Sequence, residues 1–468
     1  MARVLLVNPQ QGSRGWGSGR DPLDLDDLLP HHGLAQLAAV LRQAGHQVAL
    51  LDLRLMSGWE QARQEMAQAG AQVVCVTART QDAAEAARCL AMAAQAAPEA
   101  LRLAGGIHFT MSPQEALEAG AHKVLCGEGE VSLPALIADP DSFPDISWGE
   151  PPDLDDLPFA LRELLPGYRR NLLYPIWSLR PPIVDLLTGR GCPWGCRFCC
   201  GPGEKNLYTR PSPHDPGKRI PFLRRRSVDN VMAELAELWE RYRFGGIIFQ
   251  DDQFLIDPQW VSRFCRAMHQ AGYPRRKVGW WAACRADMIC RHPEVIAEMR
   301  DAGLKVISIG FESFSDELLD WLGKGTSSDI NRRAAAICQD LGLEIFANLI
   351  LGAPREDGVW HREDDQAGLE AIREIGPTYF SHSFLSPIPG SRMYNWAIDR
   401  GLMLHQEHAQ AGSRRPGREL LRGVNYDELR RMLAPTVARY RKFWRPRLGH
   451  YAYRLRCWRM AKAERKGA

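Results

Sequence analysis

Short apolar runs of β type alternate with stretches of helical periodicity along most of this chain, in two separate series. A helix between consecutive strands carries the chain back to its starting end, so such strands pair in parallel and the helices cover both faces of the sheet. The first series has strands at Val4–Val7, Val48–Leu51, Val73–Val76, Leu101–Leu103 and His122–Leu125. Leu34, Leu37, Val40 and Leu41 share one face of the helix after the first strand, and Gly45 stops it. This predicts a doubly wound, Rossmann-like domain over residues 1–138. The second series has strands at Ile183–Leu187, Ile247–Phe249, Val278–Cys284, Val306–Phe311, Ile345–Leu351 and Thr378–Leu385, with helices such as Val228–Tyr242 and Ser327–Leu341 between them. Six such units predict a partial (β/α)6 TIM-type barrel over 183–400. The expected class is therefore α/β, with a Pro- and Asp-rich linker over 139–182 draped on the surface and a helical, basic C-terminal region over 401–468.

In parallel sheets, ligands lie beyond the carboxyl ends of the strands. In the first domain those ends carry Asn8-Pro9, the segment opening on Thr77, Gly105-Gly106 with His108, and Gly127-Glu128-Gly129-Glu130. One glycine loop is only a tight turn, but four unusual loops on one edge point to a bulky ligand. A nicotinamide dinucleotide would need Gly-x-Gly-x-x-Gly after the first strand. The glycines there, Gly12, Gly15, Gly17 and Gly19, do not give that spacing.

Of the 12 cysteines, Cys75, Cys89, Cys265 and Cys338 stand singly on apolar stretches and read as small buried hydrophobes. Cys192, Cys196, Cys199 and Cys200 cluster in the loop after the first barrel strand, within Gly189-Arg190-Gly191-Cys192-Pro193-Trp194-Gly195-Cys196-Arg197-Phe198-Cys199. Zinc sites pair two ligand sets, and no second set accompanies this one. Fe–S clusters take four thiolates, so Cys192, Cys196 and Cys199 leave one iron open for a substrate, with Cys200 as a neighbour. No apolar run reaches 18 residues and no signal peptide opens the chain, so a reducing, cytoplasmic setting is expected.

This three-cysteine spacing, with an aromatic before the last, resembles the radical S-adenosylmethionine superfamily. The resemblance implies a 4Fe–4S cluster whose fourth iron chelates S-adenosylmethionine and cleaves it to a 5′-deoxyadenosyl radical. It also implies S-adenosylmethionine contacts at later strand ends. These are Asp251 or Asp252 for the amino group, Arg285 for the carboxylate, Ser308 and Glu312 for the ribose, and Asn348 and Gly352 near the adenine.

A doubly wound domain ahead of such a barrel resembles the cobalamin-binding subgroup over roughly residues 1–400. Pro30-His31-His32-Gly33-Leu34, the Gly105–His108 loop, the Gly127–Glu130 loop and Arg224-Arg225-Arg226-Ser227 carry that likeness. The implied cobalamin contacts are Asn8, Pro9, Gly33, Leu34, Thr77, Gly105, Gly106, His108, Gly127, Glu128, Gly129 and Glu130. The Asp-x-His-x-x-Gly motif that supplies a lower cobalt ligand is absent, so no histidine is expected on cobalt.

The implied reaction is methyl transfer to an unactivated carbon of a small molecule, such as a secondary metabolite or a lipid-like compound. An external donor such as flavodoxin or ferredoxin would supply electrons. Ring formation or rearrangement with the same cofactors is the first rival, and a non-enzymatic Fe–S or nucleic-acid-binding protein the second. Residues 411–468 carry 17 Lys and Arg against 4 Asp and Glu, a net of +13, so the rest of the chain is about 10 negative. Arginines and aromatics interleave from Tyr440 to Arg447 and from Tyr451 to Arg459. This tail reads first as an amphipathic helical cap. Contact with an anionic membrane surface or with single-stranded nucleic acid shares the pattern, but no specific nucleic-acid partner is expected.

Overall fold

Alternation along Arg3–Asn8 (β1) sets up the first sheet: Val4 and Leu6 enter one helical layer, Leu5 and Val7 the other. The computed structural model of the chain describes residues 1–10, 31–164, 178–208, 221–404 and 419–440. The glycines of the first loop and the aromatic–arginine runs beyond Tyr440 lie outside them. Gln47–Asp52 (β2), Val73–Thr77 (β3), Leu101–Gly105 (β4), Lys123–Cys126 (β5) and Ile146–Trp148 (β6) complete a parallel sheet in the order β2-β1-β3-β4-β5-β6. The first five strands match the expected ones to within two residues. The strand order reverses at β1, which opens a crevice between β1 and β3 at their carboxyl ends.

The sixth strand corrects the linker reading. Ile146–Trp148 pairs with β5 at the sheet edge, and Trp148 packs on the core beneath. Further on, Ala160 is buried beside Ala35 in the barrel's core cluster, and Arg162 is buried as well. Residues 139–164 therefore form a wedge between the two domains rather than a surface drape. Its Pro and Asp content hid a three-residue strand too short to show a period.

The second sheet is again parallel throughout, its six strands lying side by side in chain order. Its strands are Ile183–Leu186 (β7), Gly246–Phe249 (β10), Gly279–Cys284 (β11), Leu304–Glu312 (β12), Glu344–Leu351 (β13) and Tyr379–Phe384 (β14). An antiparallel hairpin of Gly189–Arg190 (β8) and Arg224–Arg225 (β9) interrupts the series. Ile183, Ile248, Val306, Phe346 and Tyr379, with Trp281, plug the bottom of the barrel. Two residues further along the same faces come Asp185, Gln250, Ser308 and Asn348, a polar layer above an apolar floor.

Helix Tyr426–Tyr440 closes the open side of the barrel. Its Tyr426 and Tyr440 rings pack against Phe384 and Phe380 of β14, and the Tyr440 hydroxyl donates to the Ile372 carbonyl at 3.1 Å. No described helix is long and apolar enough to cross a membrane.

Candidate functional site

The loop that follows β8 carries the three cysteines, braced from several sides. Its Arg197 N–H donates to the Leu322 carbonyl, and the Arg197 carbonyl accepts from the Met393 N–H at 3.0 Å. Burial pushes the Cys192 thiol up to about 11. Cys199 is pulled the other way, to about 7, first by a hydrogen bond with Cys200 and against its burial, then by the Gly201 N–H. That N–H lies 3.4 Å from the Cys199 sulfur. Among the described residues, no three His, Cys, Asp or Glu side chains converge to hold a single metal ion. A 4Fe–4S cube is ligated at separate corners and requires no such convergence. Three thiols on one loop, with an N–H donor at one sulfur and a guanidinium at another, fit a cluster with one open iron.

The structure separates the two candidate aspartates. Asp251 is buried and accepts from Thr188 twice, from Oγ1 at 2.6 Å and from the backbone N–H at 3.0 Å. Asp252 is exposed, and its charge acts on both Cys192 and Cys199. Asp251 therefore anchors the loop, while Asp252 stands open beside the sulfurs.

Arg285 lies against the cysteine loop. Its guanidinium is buried and already committed, with Nε 2.8 Å from Asp287 Oδ1, one terminal nitrogen bound to the Lys324 carbonyl and the other 3.7 Å from Cys196 Sγ. It also stacks 4.5 Å from the centre of the Trp194 ring. It props the cysteine loop, with three of its five N–H donors engaged.

Ser308 and Asn348 are brought together, with Asn348 Nδ2 donating to Ser308 Oγ at 3.0 Å. Glu312 sits at a positive φ of 64° and pairs with Lys324 at 2.9 Å. The Lys324 ammonium lies 5.9 Å from the centre of the Phe198 ring, which places this pair beside the cluster loop. Gly352 is not part of the group. Its N–H donates to the Asp365 carboxylate, and its α-carbon faces Val424 and Leu429 under the C-terminal helix.

At the carboxyl edge of the first sheet lies a cavity of about 270 Å³. Nine of the twelve residues expected at cobalamin line it: Gly33, Leu34, Thr77, Gly105, Gly106, Gly127, Glu128, Gly129 and Glu130. Leu6, Leu37, Leu103, Leu125 and Leu133 supply apolar walls. Gly106 shows why the floor is flat: φ is +88°, and a Cβ there would sit 2.5 Å from Thr77 Oγ1 and 2.8 Å from the Ala78 nitrogen. A wide, side-chain-poor floor with leucine walls fits the face of a macrocycle such as corrin.

Three expected residues are not on that wall. Asn8 instead bonds Asp52 at 3.2 Å and, with Pro9, shapes the edge beyond β1 and β2. His108 falls inside a short helix, Ile107–Met111, which buries it against Glu115 at 3.1 Å. Conversely, His31 and His32 do line the cavity, although their spacing matches no cobalt motif. His31 accepts the Leu34 N–H at Nδ1, at 3.3 Å, which leaves its proton on Nε2. Burial, then Arg79 and Arg54, push its pKa down to about 4, so it is neutral at physiological pH.

The two sheet edges meet at charged contacts that sequence inspection missed. His32 reaches across to Asp185 of β7 at 3.0 Å, and Arg162 and Gln250 hold the same aspartate. Glu128 binds both Arg190 and Arg224, and Arg190 also binds Glu130 at 2.5 Å. Arg190 was visible in the sequence as the lone charge between Gly189 and Gly191, just before Cys192.

A cysteine loop in a partial barrel, tied through Arg190 to a cavity on a doubly wound sheet, defines a class of radical enzyme with two cofactor sites. Residues 186–361 match the Radical SAM superfamily and residues 25–137 the B12 binding domain, so the chain is a cobalamin-binding radical S-adenosylmethionine enzyme. It is 25% identical over 428 residues to an uncharacterized methyltransferase from Pyrococcus horikoshii, covering 86% of this chain and 84% of that one. It is 27% identical over 385 residues to the hopanoid C-3 methylase of Methylococcus capsulatus, covering 78% and 68%. Among solved structures, the radical S-adenosylmethionine methyltransferase TsrM from Kitasatospora setae, with cobalamin and a 4Fe–4S cluster bound, has the same fold. The TM-score is 0.61 at 18% identity, over 86% of this chain and 75% of that one.

Proposed function

We propose that this chain is a cobalamin-dependent radical S-adenosylmethionine methyltransferase that places a methyl group on an unactivated carbon of a small molecule. The observation that carries the reading is the direct bonding of the cobalamin-cavity loop, through Glu128, to Arg190 at the start of the cysteine loop. When bound, the reduced cluster with S-adenosylmethionine supplies the radical, and cobalamin supplies the methyl group.

The chain's own part is to hold and orient. Cys192, Cys196 and Cys199 hold the cluster, and Asp252 accepts the S-adenosylmethionine ammonium. Ser308, Asn348 and Glu312 form the wall for its nucleoside. Arg285 keeps the cysteine loop in shape and has donors left for the S-adenosylmethionine carboxylate. The loops at Gly33–Leu34, Thr77, Gly105–Gly106 and Gly127–Glu130 seat the corrin. The apolar plug beneath Ser308 and Asn348 closes the bottom of the barrel to water. The two named methylating relatives favour methyl transfer over ring formation. We assign electron delivery to a flavodoxin or ferredoxin in a cytoplasmic setting, and give the basic tail the role of cap or membrane-surface contact.

Anaerobic reconstitution with iron, sulfide and hydroxocobalamin tests the reading. Both S-adenosylhomocysteine and 5′-deoxyadenosine are expected under reducing conditions. 5′-Deoxyadenosine without S-adenosylhomocysteine would point to ring formation or rearrangement, and neither product would end the enzymatic reading.

A further inference from the structure

Four charged side chains lock the two cofactor loops together. Arg190 lies two residues before Cys192, and Arg224 sits opposite it in the β8–β9 hairpin. Both Glu128 oxygens are used, Oε2 by Arg190 and Oε1 by Arg224, while Arg190 extends to Glu130. All four side chains are at least three-quarters buried. The loop is gripped from behind as well. A Cβ on Gly149 would fall 1.7 Å from the Glu128 carbonyl oxygen, so only glycine lets the segment after β6 lie this close. Arg224 also donates to the Pro152 carbonyl at 2.9 Å. A loop with glycine at 127 and 129 has little stiffness of its own, so these contacts set its shape.

We infer that the Arg190–Arg224–Glu128–Glu130 quartet couples the two cofactor sites, so that cluster assembly on the cysteine loop tightens cobalamin binding and bound cobalamin slows loss of the cluster. This rests on the proposed reading that the two sites hold these groups. An ordered cysteine loop fixes the hairpin, the hairpin fixes Glu128, and Glu128 fixes the cavity rim. Linkage requires the effect to run equally in both directions in terms of affinity. Glu128, Glu130 and Arg190 line the cavity as well as forming the joint, whereas Arg224 lies off the cavity wall and acts as a positioning residue.

The test uses the full-length protein. Hydroxocobalamin is titrated into the cluster-free and the cluster-reconstituted forms, followed by quenching of tryptophan fluorescence, and iron release to a chelator is timed with and without hydroxocobalamin. At least about 5-fold tighter binding is expected in the cluster-loaded form, together with slower iron release. In Arg224→Gln, whose side chain lies off the cavity wall and reaches Glu128 from behind, the affinity ratio should move toward one while the variant still binds cobalamin. Equal affinity in the two wild-type forms overturns the inference, as does an undiminished ratio in Arg224→Gln. A protein that takes up neither group refutes the reading beneath it, which is a separate outcome.

Discussion

Cys199 and Cys200 are adjacent and chemically identical, but their surroundings differ. Cys199 has its pKa lowered to about 7, first by a hydrogen bond with Cys200, then by the Gly201 N–H at its sulfur and the field of Lys324. Cys199→Ala is expected to lose bound iron and sulfide on reconstitution, and Cys200→Ala to retain them; colorimetric iron analysis distinguishes the two. Asp365 provides a pH test. Burial raises its carboxyl from 3.8 to about 7 despite bonds from Trp360 and Gly352. The folded chain thus keeps a proton that the unfolded chain releases, and this contribution to stability is full below about pH 4 and lost as pH rises toward about 7. The melting temperature of the cluster-free protein should fall between about pH 5 and about pH 8, and Asp365→Asn should flatten that fall. The sequence could propose Asp251 and Asp252 as a pair but not choose between them, because the choice depends on Thr188, 63 positions away.

The strands and helices were largely legible because each carries a local period. Helix Val228–Tyr242 buries Val231, Leu235, Leu238 and Tyr242 on one face, and Ser227 caps its start by accepting from the Asn230 N–H. The edge strand Ile146–Trp148 was illegible because three residues hold no period. The C-terminal helix was expected, but its partner was not. Leu429, fully buried, seats that helix beside Gly352 at the end of β13. Leu429→Ala should destabilise the protein by about 2–5 kcal/mol, read from the midpoint of denaturant unfolding. A change below about 0.5 kcal/mol, typical of surface substitutions, would mean that the helix does not dock as described.

At the scale of the molecule, the two sheets share no strand and are joined through side chains. Asp185 is the best place to test that joint, because it answers to His32 from one domain and to Arg162 and Gln250 from the wedge and the barrel. Asp185→Ala removes the carboxylate that His32 and Gln250 bind and leaves Arg162 with Glu234 and the backbone carbonyl at 185, and it should cost about 1–3 kcal/mol. Hydrogen exchange should rise in both His32–Gln43 and Val228–Tyr242, the second because Arg162 also binds Glu234. The joint was invisible in the sequence for a simple reason. Its pairs are separated by 153 positions for His32 and Asp185, 62 for Glu128 and Arg190, and 96 for Glu128 and Arg224. No local period spans such distances, whereas the cysteine spacing and the glycine loops are local.

Glycine at 149, where any side chain would overlap the Glu128 carbonyl, has a practical meaning for anyone recombining such enzymes. The boundary for exchanging cobalamin modules does not fall at residue 138. A donor module grafted there would meet a foreign wedge, and its loop would lack the backing that holds Glu128 against Arg190 and Arg224. A workable crossover lies beyond Arg162, so that module and wedge travel together as one part.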